Sequence, residues 1–173
     1  MVKIIVGLGN PEKEYENTRH NVGFSLIDAL AEKYDFPLSH NKKLSSWSGR
    51  GLINQTQEVV IAKPDTYMNN SGIAVAKILN WFKLTPSDLI VVHDEIALDL
   101  GKIRISHGRG AGGHHGIESI INSIGGGKDF ARLRIGIGPD PGGDIRGDYV
   151  LGKFTNKEKK VLEKVLDLSV KAS

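Results

Sequence analysis

Cysteine is absent from this 173-residue chain, which excludes disulfide bridges, thiolate catalysis and cysteine-based zinc or iron–sulfur sites. Long apolar runs are also missing, since the longest are strand-sized and far short of the roughly 20 residues needed to cross a bilayer. The chain enters an apolar strand at once, with no basic region and cleavage site, so no export signal is visible. These absences predict a cytoplasmic protein with no membrane partner.

Positive charge is modest overall but concentrated in one segment. The whole chain carries a net charge of +3 and has a pI of about 9.0. Residues 102–134 hold six basic side chains against two acidic ones, so the rest of the chain is slightly acidic. The six are Lys102, Arg104, Arg109, Lys128, Arg132 and Arg134. Such a segment suits either a solvated protein face or a polyanionic partner.

Hydrophobic patterning alternates between strand-like and helix-like segments. Short runs rich in β-branched residues predict strands at residues 2–8, 43–53, 58–62, 89–92, 103–105 and 133–137. Apolar residues at helical spacing predict four helices, carried by Val22 to Tyr34, Val75 to Phe82, Ile117 to Ile124 and Leu162 to Leu166. This order predicts one α/β domain over residues 1–173, with a mixed, mostly parallel twisted sheet and helices on both faces.

Local signals mark where these helices begin and end. Asn70 or Ser71 is predicted to cap the second helix, and the glycines at 125–127 to end the third. Thr155 and Glu158 have capping-box spacing at the start of the last helix. The proline- and glycine-rich residues 138–147 are predicted to form a loop.

Four polar residues fall where an α/β sheet usually binds its ligand, beyond the carboxyl ends of its strands. They are Asn10, Asn69 and Asp94, which follow strands, and His20, which precedes the first helix. A neutral imidazole removes a proton from water at neutral pH, and a carboxylate on its other nitrogen holds the required tautomer. Asparagine amides grip a peptide or carbonyl without charge. This set of residues suits ester hydrolysis. Purely structural roles also explain three of them, namely a turn at Asn10, a helix or loop cap at Asp94 and an ordinary loop position for His20.

Nucleotide and serine-nucleophile sites are disfavoured. Residues 7–12 (GLGNPE) resemble a dinucleotide fingerprint, but Glu12 stands at the third glycine position and Pro11 lacks an amide N–H. Ser71 lies outside any Gly-x-Ser-x-Gly motif. The glycine-rich segment, residues 108–116, lacks the Gly-Lys-Ser/Thr ending of a phosphate-binding loop. It suits either a mobile connector or a gate that admits a bulky substrate.

A metal site is disfavoured as well. Histidines and acidic residues cluster at His93, Asp94, Glu95, His107, His114 and His115, but no HExxH pattern joins them. Adjacent histidines on a helix also point in different directions. We therefore predict no metal site.

A series of short motifs extends along nearly the whole chain. They are residues 7–11 (GLGNP), Tyr15, 18–23 (TRHNVG), 67–72 (YMNNSG), 93–95 (HDE), 101–104 (GKIR), 111–114 (AGGH), 132–138 (RLRIGIG) and 150–154 (VLGKF). Each motif alone is weak, but together and in this order they are specific. The chain thereby resembles the bacterial peptidyl-tRNA hydrolase family.

The resemblance implies a monomer that cleaves the ester between a peptide and the tRNA 3′ ribose, with no cofactor and no obligate protein partner. It implies that His20 is the general base for water, that Asp94 orients it, and that Asn10 and Asn69 position the substrate. The other residues implied to bind substrate or tRNA are Tyr15 and Met68 in the cleft, His114 on a gate, Arg104 and Arg134 on the tRNA surface, and Asn21 and His115.

The chain departs from the family pattern at several positions. His115 follows the gate histidine where asparagine is usual, and Glu12 replaces a common glycine. Ser106 stands where a second basic residue often follows the Arg104 position, so we expect Arg104 to carry much of the contact to the terminal phosphate of the tRNA. Further differences are Ala97 and Asp99 in the loop after Asp94, and a terminal helix that is expected to be short.

Two other functions remain open at this point. A non-catalytic RNA-binding protein, such as the plastid splicing factors that resemble this fold, needs the basic surface but not the complete set of His20, Asp94, Asn10 and Asn69. A hydrolase of small esters needs that set but has no use for the basic segment at 102–134.

Overall fold

The computed structural model describes residues 1–172, and the side chains of residues 1–167. Within that range the strands are β1 (Lys3–Gly7), β2 (Ser39–Asn41), β3 (Ser46–Ile53), β4 (Gln57–Pro64), β5 (Leu89–Asp99), β6 (Ile103–His107) and β7 (Ala131–Gly138). The α-helices are α1 (Val22–Lys33), α2 (Ser71–Phe82), α3 (His115–Ser123), α4 (Arg146–Leu151) and α5 (Asn156–Ala172). The terminal helix, expected to be short, has 17 residues. No helix in the described range is long and apolar enough to span a membrane.

All seven strands belong to one sheet, in the order β2-β3-β4-β1-β5-β7-β6. The four central strands β4, β1, β5 and β7 run parallel, whereas β2, β3 and β6 pair antiparallel at the two edges. The predicted mixed sheet with a parallel centre is therefore confirmed. Because parallel strands share a direction, their carboxyl ends gather at one edge of the sheet, where the loops carry polar residues.

Helices cover both faces of this sheet, as predicted. Side chains of a strand alternate between faces, so Ile5 packs into a core with α1 and α5, while Ile4 and Val6 pack into a second core with α2 and α3. The apolar stripes predicted from the sequence supply these helical faces, for example Leu26 of α1 and Ile120 of α3.

Two glycines let α1 approach the sheet at the edge where the polar residues gather. A Cβ on Gly23 would lie 2.5 Å from the backbone nitrogen of Leu8 and 2.5 Å from the carbonyl oxygen of Val92. A Cβ on Gly7 would lie 2.2 Å from the carbonyl oxygen of Gly23. No side chain fits in either place. The start of α1, and the turn just before it that contains His20, are thus held directly against β1 and β5.

The structure corrects two further local predictions and adds one helix. Residues 42–44 form a 3-10 turn rather than the start of a strand, because Ser45 adopts a left-handed conformation (φ 49°) and β3 begins after it. Helix α4 was not predicted. Ser71 does not cap α2, because its hydroxyl donates to the carbonyl of Met68 at 2.7 Å and Asn70 occupies the cap position without a side-chain bond.

Two predicted helix boundaries are confirmed. Thr155 and Glu158 form a capping box, since each backbone N–H donates to the other's side chain, at 2.9 and 3.2 Å. Helix α3 ends before the glycines at 125–127, where Gly125 and Gly126 have positive φ angles and the N–H of Gly126 donates to the carbonyl of Ile121 at 2.7 Å.

Candidate active site

The four residues singled out by position do gather at the carboxyl edge of the sheet. Asn10 follows β1, Asn69 lies in the turn between β4 and α2, and His20 lies in the 3-10 turn that precedes α1. Asp94 lies within β5, opposite Ile135 of β7, rather than at a strand end, because β5 continues to Asp99. Asp94 is only 4% exposed, so its carboxylate needs partners.

Two histidines supply those partners. The Nδ1 of His20 lies 2.8 Å from Oδ2 of Asp94, and the Nε2 of His114 lies 2.8 Å from Oδ1. An ionised carboxylate only accepts hydrogen bonds, so each of these ring nitrogens carries the donating proton. His20 is left with a lone pair on Nε2, for which the described residues offer no hydrogen-bond partner. This is the tautomer that a general base requires.

His20, Asp94 and His114 form a trio in which electrostatic interactions shift the pKa values of Asp94 and His20. Burial alone would raise the pKa of Asp94, but His20 and His114 together hold that pKa well below its usual range. Burial alone would lower the pKa of His20, yet the charge of Asp94 and its hydrogen bond outweigh burial and raise it above the usual 6.5. Asp94 is therefore ionised, and its negative charge favours protonation of His20.

His114 is fixed from two sides. It caps α3, and its Nδ1 accepts from the backbone N–H of Ile117 at 3.3 Å while its Nε2 donates to Asp94. The ring of His93 packs edge-on against it, with centroids 4.7 Å apart. His93 is fully buried, which lowers its pKa to about 3, so it stays neutral and acts as packing beneath the trio.

Asn10 and Asn21 form a frame around the cleft. The side-chain amide of Asn21 bonds both backbone groups of Asn10, at 2.8 and 2.9 Å. The Oδ1 of Asn10 in turn accepts from the backbone N–H of Met68 at 2.8 Å and ties the loops after β1 and β4 together. Asn21 is 3% exposed and its amide is occupied by these bonds. Asn21 therefore supports Asn10, and the expectation that it also binds substrate stays a prediction.

An open cleft runs along one side of His20. This amide cleft, of about 370 Å³, is lined by Asn10, His20, Tyr67, Met68, Asn69, Gly147, Val150 and Leu151. Asn69 is exposed there, whereas Met68 is buried and forms part of the floor. Tyr67 takes the lining position expected for Tyr15, which is half-buried outside the cleft. The hydroxyl of Tyr67 donates to the carboxylate of Glu12, the residue that departs from the family glycine.

A second pocket lies on the other side of the trio. This loop pocket, of about 210 Å³, is lined by His20, Asp94, Glu95, Ile96, Gly112, Gly113, His114, His115, Arg146, Gly147 and Val150. His20 belongs to both cavities and thus lies between them. The side chain of His115 is 73% exposed and has only a long 3.8 Å contact with Glu118, so it is free to meet a ligand.

Arg19 holds the His20 turn in place, which sequence reasoning did not reveal. Its guanidinium donates to the carbonyl of Tyr149 at 3.2 Å and to Glu158 at 2.9 Å, and it lies over the Tyr149 ring at 4.3 Å. The backbone N–H of Arg19 also donates to the carbonyl of Gly152. Helices α4 and α5 are thereby attached to the residue next to His20. The only signal in the sequence was its place in the motif at 18–23.

Three of the six basic residues, Arg104, Arg132 and Arg134, lie on the neighbouring strands β6 and β7. Arg104 and Arg134 are directly opposite each other in the antiparallel register, as are Ser106 and Arg132. Arg104 is exposed, whereas Arg134 is half-buried and its Nε lies 3.3 Å from Oε2 of Glu95. Arg132 and Arg134 line one pocket, because side chains two residues apart in a strand point to the same face of the sheet.

Within the described residues, one group has the composition of a metal site. One ligand atom each from His20, Asp94 and His114 lie within 4.8 Å of one another. The two ring nitrogens that face Asp94 are, however, its hydrogen-bond donors, and a metal would require both to be deprotonated. The cluster suits proton transfer better than coordination.

Comparison with known proteins agrees with this geometry. The chain matches the family described as Peptidyl-tRNA hydrolase over residues 4–173. It is 45% identical over 170 residues to the peptidyl-tRNA hydrolase of Synechocystis sp., covering 98% of this chain and 87% of the relative. The peptidyl-tRNA hydrolase of Agathobacter rectalis is 44% identical over 171 residues, which cover 98% of this chain and 90% of the relative. The crystal structure of peptidyl-tRNA hydrolase from Acinetobacter baumannii has a TM-score of 0.92 at 38% identity, covering 98% of this chain and 85% of that one. The chain belongs to the peptidyl-tRNA hydrolase family.

Proposed function

We propose that this protein hydrolyses the ester bond between a peptide, or an N-blocked aminoacyl group, and the 3′ ribose of tRNA, and so releases reusable tRNA. The observation that carries the proposal is the bond between His20 and Asp94, which leaves the other imidazole nitrogen without a partner among the described residues, at the wall of a cleft lined in part by amides. Family membership supports the same activity.

In the proposed mechanism, Nε2 of His20 removes a proton from a water molecule as its oxygen attacks the ester carbonyl. Asp94 stabilises the imidazolium that forms, since its charge raises the proton affinity of His20. The tetrahedral intermediate then collapses, the bond to the ribose oxygen breaks, and His20 returns its proton to that oxygen. The products are a peptide carboxylate and tRNA with a free 3′-terminal hydroxyl.

The two cavities that meet at His20 suit the two halves of the substrate. Asn10 and Asn69 line the amide cleft, where neutral amides can hydrogen-bond a peptide backbone, so we place the peptide there beside Met68. The 3′ end of the tRNA then occupies the loop pocket, beside His114 and His115. Arg104 and Arg134 are proposed to contact the tRNA body.

We further propose that the protein is a single-domain cytoplasmic monomer that needs no cofactor and no obligate protein partner. A purely RNA-binding role is not favoured, because binding alone gives no reason for a buried carboxylate that orients an imidazole towards a cleft. A small-ester hydrolase would leave the arginines on β7 without a role.

The proposal is tested by comparing two tRNA esters in the presence of EDTA. We expect N-acetyl-aminoacyl-tRNA to be cleaved, whereas the unblocked aminoacyl-tRNA is spared, because its ammonium group loses hydration in a cleft whose lining residues include amides but no carboxylate. EDTA should not change the rate, since His20, Asp94 and His114 act through protons. Equal cleavage of both esters would contradict the substrate assignment. Activity lost in EDTA and restored by zinc would contradict the metal-free mechanism.

A further inference from the structure

A third cavity opens next to the amide cleft, beside helix α1. This acidic pocket, of about 470 Å³, lies between the loop after β1, the start of α1 and the strands β3 and β4. The charged and aromatic side chains that line it are Glu12, Glu16, Phe24, Asp28, Trp47 and Lys63. The proposed mechanism uses none of these six side chains.

Negative charge in this pocket is only partly compensated. The Nζ of Lys63 lies 2.6 Å from Oδ1 of Asp28, so these two charges offset each other. Glu12 and Glu16 are exposed, and no cation among the described residues pairs with either carboxylate. The hydroxyl of Tyr67 donates to Glu12 but leaves its charge in place. The pocket therefore favours a cationic guest.

The rings of Phe24 and Trp47 suit the aliphatic part of such a guest. Both side chains are half-buried and line the pocket. One lysine of the protein is already held in this way, since the Nζ of Lys63 lies 5.5 Å from the centroid of the Phe24 ring while it bonds Asp28. A lysine or arginine side chain of the guest can likewise lie along the rings, with its charged end towards the two free carboxylates.

Asn10 joins the acidic pocket to the amide cleft and indicates that the guest is a peptide. It lines both cavities and is only 8% exposed. Its Oδ1 accepts from the backbone N–H of Met68, but its Nδ2 donates to no described residue. A buried amide donor normally has an acceptor, and the carbonyl of a peptide that passes between the two cavities supplies one. Tyr67 connects the cavities a second time, because it lines the amide cleft and bonds Glu12.

We propose that the acidic pocket binds a basic side chain of the peptide, upstream of the residue that forms the ester, and that Glu12 and Glu16 select for its positive charge. This inference rests on the proposed function and adds to it a preference for one class of peptide. A peptide whose ester carbonyl lies at His20 runs along the amide cleft, passes Asn10 and enters the acidic pocket. Glu12 stands where the family commonly has glycine, so the preference is expected to depend on this departure.

The test compares peptidyl-tRNAs that differ only in the charge of one peptide residue. N-acetyl-tetrapeptidyl-tRNAs of otherwise neutral sequence carry lysine or glutamate at each position upstream of the ester-linked residue, and kcat/KM is measured for each pair. We expect wild-type protein to prefer lysine by about tenfold in at least one pair, because partly exposed carboxylates favour the one side chain and disfavour the other by about threefold each. The preference should fall as ionic strength rises, since exposed charges are screened.

Two sets of variants assign this preference to the pocket. Glu12→Gln/Glu16→Gln should reduce the ratio of lysine to glutamate substrates to about one, because glutamine keeps the size of the side chain but not its charge. Glu12→Lys/Glu16→Lys should invert the ratio. Glu14→Gln is the matched control, because Glu14 is an exposed carboxylate of the same segment that does not line the pocket. It should preserve the ratio.

Each ratio is measured on one tRNA with one enzyme, so a change in overall activity cancels. A wild-type ratio near one at every position would overturn the inference, while cleavage of these esters would still support the proposed function. A ratio that Glu12→Gln/Glu16→Gln retains, or that Glu14→Gln loses equally, would also overturn it, because the charge would then act outside the pocket. If wild-type protein cleaves none of these esters, the proposed function itself fails, and the inference with it.

Discussion

His20→Ala is expected to reduce kcat by about 10²–10⁴-fold, the usual contribution of a general base, while binding of the tRNA ester survives. The imidazole is bonded to Asp94 through Nδ1, and only its Nε2 is available to a water molecule. Alanine leaves no group that can accept that proton. The proposed contacts to the peptide and the tRNA come from other residues, so the dissociation constant should change little. Single-turnover hydrolysis and equilibrium binding of N-acetyl-aminoacyl-tRNA measure the two effects separately.

The matched control is His40→Ala, because His40 also bonds an aspartate, Asp65, at 2.6 Å, but on the surface and away from both cavities. It should keep kcat within about twofold. If His20→Ala retains a substantial fraction of wild-type turnover while remaining folded, the base lies elsewhere.

Asp94→Asn is expected to lower kcat by a smaller factor than His20→Ala does. The two carboxylate oxygens of Asp94 accept from His20 and His114, whereas asparagine offers one oxygen and one NH₂ group. If the NH₂ group faces His20, the imidazole must carry its proton on Nε2, which removes the base. If it faces His114, the His20 tautomer survives but without the charge that stabilises the imidazolium.

Asp65→Asn provides the control for the loss of an aspartate charge beside a histidine, and it should leave kcat nearly unchanged. Steady-state and single-turnover rates of both variants measure the difference. A larger loss for Asp94→Asn than for His20→Ala would contradict the order of roles, because a residue that acts through His20 cannot contribute more than His20 itself.

The layout of the fold was predictable because its core strands and helices carry strong apolar patterns. The run at 89–92 and the stripe from Ile117 to Ile124 are buried elements in the structure, as their patterns indicated. Helix α4 escaped prediction because none of its residues is buried, so no apolar period marks it. The strand predicted from residue 43 failed at Ser45, whose left-handed conformation no periodicity reveals.

The candidate site was only partly predictable, because its contacts join distant segments. The rule that ligands bind at the carboxyl ends of parallel strands indicated the positions of Asn10 and Asn69, whereas Asp94 belongs to the site although β5 continues past it to Asp99. It did not indicate that Asp94 also bonds His114, since that contact depends on the path of the glycine-rich segment. Likewise, Arg132 and Arg104 look alike in sequence. Arg132 is buried because it lies on the inner strand β7, whereas Arg104 is exposed because it lies on the edge strand β6.

The central claim is that neutral His20, held by Asp94, is the base that cleaves the tRNA ester. It is tested most directly by the pH dependence of kcat/KM for N-acetyl-aminoacyl-tRNA, corrected for spontaneous ester hydrolysis. Protonated His20 has no lone pair, so activity should be lost as pH falls through its pKa, which Asp94 raises above 6.5. We therefore predict an acid limb with its midpoint above pH 6.5. In Asp94→Asn only burial remains, and the midpoint should move below 6.5. A profile without an acid limb, or a midpoint that Asp94→Asn does not move, would contradict the account.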